Sequence, residues 1–335
     1  MADTLFLFDN RGESRNPYRN LAVEEYLTRH APAGSVTLYL WQNRKTVVIG
    51  RNQNAWGECR AEALERDGGR LARRLSGGGA VYHDDGNLNF TFCAPDGTYD
   101  EARQAGVIAR AAAAFGLRVE KTGRNDLTAD GRKFSGNAYW HADGQNFHHG
   151  TILVDADMGA LARYLDTASS KLHAKGVKSV PSKVVNLAEL NPAVTVDAFA
   201  AAMKDAFAAE YGGAPAVLTG ADMDAGELAE REAFFASWAW RYGRKIPFTG
   251  AWSGQFPWGF LRLYIRADGG VITDASVDSD GMASEVIAAI PEALIGARYS
   301  REAMDARICT IPVRTPLEEE VIASAAALIR RGDEE

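Results

Sequence analysis

The run Arg73-Arg74-Leu75-Ser76-Gly77-Gly78-Gly79-Ala80-Val81-Tyr82-His83 decides how this chain is read. Three consecutive glycines stand between two strand-like pieces. Lacking Cβ atoms, they let backbone N–H groups come close to a ligand, and a nest of such amides favours an anion. Two arginines and Ser76 add guanidinium and hydroxyl donors on the rim. The same run would also serve as a bulged turn in a sheet. Its spacing fits neither the P-loop nor G-x-G-x-x-G, so alone it is no nucleotide signature.

Toward the N-terminus, Leu5–Phe8 reads as a short strand, and Asn20 is placed to cap a helix running to about Arg29. Val36–Trp41 and Thr46–Ile49 are β-rich runs parted by the polar Asn43-Arg44-Lys45, which predicts a hairpin. Glu58–Asp67 reads as a helix that stops at Gly68-Gly69. Toward the C-terminus, Leu88–Phe92 alternates, so Leu88, Phe90 and Phe92 share a buried face. A helix follows over about Tyr99–Phe115. Asp130-Gly131 and Asp143-Gly144 are hairpin turns that bracket a strand carrying Lys133. Ile152–Val154, then helices near 157–165 and 196–211, close a large unit spanning 1–245. A small unit over 250–335 opens with an alternating strand, Leu261–Arg266, a turn into Val271–Thr273, and helices near 283–290 and 316–331. The aromatic stretch Phe234–Trp258 is expected to pack the interface of the two units. Runs of strands beside runs of helices give an α+β fold class.

Three further segments carry chemistry. In Gly123-Arg124-Asn125-Asp126-Leu127 and Arg132-Lys133-Phe134-Ser135-Gly136-Asn137, Lys133 follows a tight turn and precedes a small Ser-Gly pair that leaves room for a ligand. A lysine there is either a solvated surface charge or a compact cation for a carboxylate or phosphate. Asn125 and Asp126 either shape a turn or bind a Mg–phosphate group. His148 and His149 point to opposite faces of one strand, so one belongs to the core and one lines a cavity. Lys171–Lys183 is a basic loop, either solvated or a clamp that closes over a phosphate.

Composition narrows the classes. The 335 residues suffice for roughly two domains, with 46% apolar and 24% charged residues. Thirty-seven basic against 44 acidic residues give a net charge of −7, which argues against a nucleic-acid grip over the whole surface. Mean hydropathy is −0.23, and no apolar run approaches a membrane span. The N-terminus has no basic region of the kind that opens a secretory signal. Three cysteines at wide spacing form neither a disulfide framework nor a zinc cluster. A soluble cytoplasmic monomer is expected, with no nucleic-acid or membrane partner and no metal site built from protein alone.

Taken in order, Arg-Arg-x-Ser-Gly-Gly-Gly-Ala-Val-Tyr-His-Asp, Gly-Arg-Asn-Asp-Leu, Arg-Lys-x-Ser-Gly-x-Ala-Tyr, Phe-His-His-Gly-Thr-Ile-Leu and Ala-Lys-Gly-Val-x-Ser-Val resemble the lipoate–protein ligase A family. Leu21–Glu25 and Val48–Asn54 match too, and the likeness runs from about residue 18 to 190. The resemblance implies a biotin/lipoate ligase-like mixed sheet flanked by helices, with a small α+β accessory domain. It also implies activation of lipoate by ATP and Mg2+ to lipoyl-AMP, then transfer to a lysine of an acceptor protein. Such acceptors are lipoyl domains of 2-oxoacid dehydrogenase E2 chains, the glycine-cleavage H protein or a specialised lipoate-carrying protein.

Carried over position by position, Lys133 would contact both the lipoate carboxyl and the α-phosphate. Arg74, Gly79, Ala80, Val81 and Tyr82 would bind the nucleotide, with Asn125, Asp126 and Lys175 near its phosphates and any Mg2+ beside Asp126. Ser76, Gly77, Gly78, Ser135, Gly136 and His149 would hold lipoate. Pro181-Ser182-Lys183 stands where many relatives have Arg-Ser-Arg. Two competing readings use the same fold. An octanoyltransferase or amidotransferase would work through a cysteine thioester without ATP, and a non-catalytic lipoate-binding chain would assist another ligase. Cys93 has no helix N-terminus or obvious histidine beside it to lower its pKa, and reads as structural.

Overall fold

The computed structural model describes residues 4–123, 125–165, 184–243 and 249–331. In chain order its elements begin with β1 (Thr4–Asp9), α1 (Pro17–Arg29), β2 (Ser35–Trp41), β3 (Thr46–Ile49), α2 (Ala55–Glu58), α3 (Ala61–Arg66), β4 (Arg70–Arg73), β5 (Val81–His83) and β6 (Asn87–Pro95). There follow α4 (Glu101–Ala113), β7 (Val119–Thr122), β8 (Asp126–Ala129), β9 (Arg132–Ala142), β10 (Gln145–Leu153), α5 (Met158–Tyr164), α6 (Leu187–Leu190) and α7 (Val196–Tyr211). The last are β11 (Ala216–Val217), α8 (Ala225–Ala236), α9 (Trp238–Tyr242), β12 (Gly250–Phe256), β13 (Gly259–Asp268), β14 (Val271–Ser279), α10 (Ser284–Leu294), α11 (Arg301–Ile308) and α12 (Pro316–Arg331).

An eight-stranded mixed sheet, in the order β11-β1-β2-β6-β10-β9-β8-β7, forms the centre. Leu88, Phe90 and Phe92 lie in one core with Val107 and Ile108 of α4 and Phe199 and Phe207 of α7. On the opposite face, Tyr39, Trp41, Cys93 and Phe147 pack with Leu21 and Val23 of α1 and Phe235 of α8. Helices on both faces explain why β2 is buried at every position, and why Asn89 and Thr91 are as inaccessible as the phenylalanines between them. Asp130 and Asp143 take positive φ (52° and 55°), each followed by a positive-φ glycine, at the expected β8–β9 and β9–β10 turns.

Two local expectations are corrected. β2 and β3 do not form a hairpin. β2 pairs with β1 and β6, whereas β3 enters a separate three-stranded sheet, parallel to β4 and antiparallel to β5. Both edges of each strand are taken, and the link between them carries the chain from one sheet to the other. Nor does Asn20 cap α1. Asn16 does, accepting from the Tyr18 N–H with Pro17 at the first helical position, while Asn20 lies buried inside the helix.

The small sheet holds the glycine run between β4 and β5, with Val47, Ile49, Leu71 and Tyr82 in its core. Strands β12–β14 form a third sheet, covered by α10, α11 and α12 around Leu261, Ile265, Ile287 and Ile329. The tryptophans of the aromatic stretch do not act as one interface. Trp252 and Trp258 belong to this C-terminal core, Trp240 donates its indole N–H to the Arg73 carbonyl, and Trp238 is largely exposed. Among the described residues, no helix is long and apolar enough to cross a membrane.

Candidate active site

A cavity of about 120 Å³ opens where the glycine run meets the face of the large sheet that packs on α1. Gly78, Gly79, Ala80 and Val81 form one wall. Lys133, Gly136 and Asn125 form another, and Trp41, His83, Asn89 and His149 line the remainder. The four strands beneath it, β2, β6, β10 and β9, are neighbours in the sheet. Three strand spacings separate the Trp41 side from the Lys133 side, roughly 14 Å.

Lys133 is held at both ends. Its carbonyl accepts from the Val185 N–H at 2.9 Å, and its Nζ lies 2.7 Å from Asp126 Oδ1. Gly136 gives the ammonium its room, because a Cβ there would lie 3.2 Å from it and push the lysine end aside. The small residue after Ser135 thus makes room for the lysine itself. The ammonium remains partly open to solvent, so the Asp126 pair contributes little stability.

Arg74 holds the glycine run from within. Its fully buried guanidinium donates to the carbonyls of Val48, Gly77 and Gly79, and through Nε to Ser76 Oγ. Burial lowers its pKa to about 10, which leaves it charged at neutral pH. From Ser76 the network continues inward. Ser76 Oγ stands 2.8 Å from His149 Nε2, and His149 Nδ1 stands 2.8 Å from Glu24 Oε1. Thr91 donates to the same carboxylate oxygen, and Trp41 donates to Thr91. His149 Nδ1–H donates to the carboxylate, and Nε2 shares a hydrogen bond with Ser76 Oγ. A buried cation and a buried anion are thereby connected through a serine and a histidine.

Other expected site residues stand behind this surface. Tyr82 points into the core of the small sheet, near Tyr164, so only its backbone flanks the cavity. Ser135 is fully buried on the same strand as Lys133, within reach of the Asn137 amide. Gly77 faces the C-terminal unit. A Cβ on it would fall 2.0 Å from the Gly281 carbonyl oxygen and 2.8 Å from Met282 Cα. The same junction is tied by Ser279 N–H to the Asn52 carbonyl, Asn54 N–H to Asp278, and Arg51 to Glu285 at 2.6 Å. Lys175 and the rest of the 171–183 loop lie outside the described residues.

The Gly77 contact sets a stability test. Gly77→Ala is expected to destabilise the chain by about 1–3 kcal/mol through overpacking against the 281–282 backbone. Gly79→Ala, whose Cβ would meet nothing within 4 Å, is expected to stay within about 0.5 kcal/mol of wild type. Denaturant unfolding of the two variants checks the difference.

The family model described as "Lipoyl protein ligase A/B catalytic domain" matches residues 16–208, more than half of the chain. The chain belongs to this family. A second model, "Bacterial lipoate protein ligase C-terminus", matches residues 246–324. Membership makes the chain a ligase-type enzyme of lipoylation.

Solved structures agree on the fold. Plasmodium falciparum LipL1, crystallised with lipoate, superposes with a TM-score of 0.85 at 24% identity, over 98% of this chain and 99% of that one. A bipartite lipoate protein ligase from Thermoplasma acidophilum gives 0.60 at 24% identity, over 73% and 99%. A lipoate-protein ligase A bound with ATP gives 0.58 at 22% identity, over 72% and 99%. The α+β reading of a large mixed sheet flanked by helices, with a C-terminal α+β unit, holds, and the LipL1 superposition spans nearly the whole chain.

Sequence reading did not assign roles to Glu24, Trp41, His83 or Asn89. Glu24 carried a signal, an acidic residue among the apolar positions Leu21-Ala22-Val23 of a helix. His83 ended the glycine motif without a role because its hydrogen-bond partner, Asn43, lies 40 positions away in sequence.

Proposed function

We propose that this chain activates lipoate with ATP to lipoyl-AMP and passes the lipoyl group to a lysine of an apo lipoyl-domain protein. The observation that carries this reading is the Lys133 ammonium, held beside Gly136 at the wall of a cavity whose facing wall is the Gly78–Val81 backbone. Arg74 is committed to loop carbonyls, whereas Lys133 pairs with one carboxylate and stays partly accessible.

Joining a carboxylate to an α-phosphate brings two anions together, so positive charge must be in place before attack. The Lys133 ammonium exchanges Asp126 for the lipoate carboxylate and an α-phosphate oxygen. One carboxylate oxygen forms the new bond to phosphorus as the bond to pyrophosphate breaks. Gly79, Ala80 and Val81 offer backbone to the nucleotide, and the acyl chain runs away from Lys133 over β10 and β6. Among the described residues no three His, Cys, Asp or Glu side chains stand together as a metal site. Asn125 and Asp126 provide few oxygens, so Mg2+ would enter on the phosphates, whose charge it would screen. In the second half-reaction the acceptor lysine attacks the acyl carbonyl and AMP departs. Residues 1–245 would bind both substrates. The 250–335 unit, which touches the glycine run at Gly77, would move aside to admit the acceptor.

The position of the cysteines speaks against a thioester route. Cys93 is fully buried between α1 and the sheet, accepting a hydrogen bond from Thr28 Oγ1 at 3.3 Å, and burial pushes its thiol pKa up. Cys59 is buried with its pKa pushed up to about 12, and Cys309 lies on the exposed end of α11. None of the three lines the cavity. Cys93→Ala is therefore expected to keep near-wild-type acyl transfer and lose about 0.5–1.5 kcal/mol of stability. Pyrophosphate release by the full chain, with ATP and Mg2+ in the presence and absence of lipoate, tests the proposal. Release that depends on lipoate supports it, and transfer without ATP refutes it.

A further inference from the structure

The hydrogen-bond network behind the cavity fixes the protonation of one wall residue. Asn20 Nδ2 donates to the backbone carbonyl of Gln42 at 2.8 Å, which sets the orientation of that amide. The same Nδ2 donates to Asn43 Oδ1 at 2.9 Å, so Asn43 turns its Nδ2 toward His83 Nδ1, 3.1 Å away. His83 Nδ1 is therefore an acceptor and its ring proton sits on Nε2. Burial, with Arg74 and His149 nearby, lowers its pKa to about 3, and the ring is neutral in the physiological range. Nε2 is buried without a partner among the described residues, on a side chain that lines the cavity. His149 differs, because Glu24 and Ser76 use both of its nitrogens.

We propose that His83 is a specificity-determining residue, its Nε2–H selecting acyl chains whose far end carries a hydrogen-bond acceptor, as the cyclic disulfide of lipoate does and the methyl end of octanoate does not. This rests on the lipoate reading above. With the carboxylate at Lys133 on β9, the chain's other end lies toward Trp41 on β2, and the His83 ring meets the Trp41 ring edge-on with centroids 6.0 Å apart. Asn89, midway on β6, also presents an amide nitrogen without a partner to the cavity. Disulfide sulfur is a weak acceptor, but a plain alkyl end leaves the buried N–H with none. A site built around a donor rejects the analogue that cannot accept from it.

Calorimetric binding of lipoate and of octanoate to the full chain tests this. Wild type is expected to hold lipoate about tenfold more tightly than octanoate. In His83→Phe, which keeps a ring but lacks the donor, the ratio is expected to fall toward one, mainly through tighter octanoate binding. In His83→Gln, whose amide restores a donor near the Nε2 position, the preference is expected to return. Both acids bound by His83→Phe with the wild-type ratio would overturn the inference and leave the lipoate reading intact. Neither acid bound by wild type would overturn both. In the unaltered chain, the His83 Nε2 proton resonance is expected to shift with lipoate and not with octanoate. An equal shift with both acids would contradict the assignment.

Discussion

Lys133→Ala is expected to lower lipoate-dependent pyrophosphate release by about 10²–10³ while leaving the fold intact. The size follows from what the ammonium would do. It would meet the carboxylate and the α-phosphate together, at a point where charge repulsion opposes bond formation. Stability should hardly change, because the ammonium and Asp126 are both partly exposed and such pairs contribute about 0–1 kcal/mol. Lys133→Arg should not restore the rate, since a planar fork replaces a compact charge and the space beside Gly136 is limited. Release within a few-fold of wild type in Lys133→Ala would remove Lys133 from the chemistry.

Arg74→Ala is expected to lower stability by about 3–5 kcal/mol and to abolish measurable lipoate binding. The substitution strips charged donors from the carbonyls of Val48, Gly77 and Gly79, all close to the glycine run. Each buried carbonyl left without a partner costs about 1–3 kcal/mol. Ser76 Oγ loses its Nε donor as well, so the register between the loop and His149 goes with it. Arg74→Lys should recover less than half of the loss, because one ammonium cannot span the same acceptors. Urea unfolding gives the stability and calorimetry the binding. A loss below about 1 kcal/mol would mean that the loop holds its shape without this residue.

Much of the fold was legible where local chemistry decides. Asp130-Gly131 and Asp143-Gly144 required positive φ and placed two hairpin turns. The 196–211 helix carried both a start signal in Thr195 and a left-handed glycine exit at Gly212. Features set by distant partners were not legible. Whether β3 continues from β2 or joins a second sheet depends on β4 and β5, which occupy both its edges. Helix α11 was missed because half of its residues are charged, two more are alanines, and only Met304 and Ile308 reach the core.

The site divides in the same way. The glycine run, Lys133, Gly136 and His149 stood out by residue type and spacing, and all contribute to one cavity. Arg74, read as a ligand contact from its place on the rim, lines the cavity, and its guanidinium also holds the loop carbonyls. The Glu24–His149–Ser76 chain joins residues 125 and 73 positions apart, and no local pattern reveals such a network.

The most direct test of ATP-driven lipoyl transfer is the intact mass of an apo lipoyl domain after incubation with the full chain, lipoate, Mg2+ and ATP. The domain should gain the mass of one lipoyl group on its acceptor lysine, and the gain should vanish when ATP is omitted. Acylation that proceeds without ATP from an acylated carrier, with an acyl group trapped on a cysteine of this chain, would contradict the account.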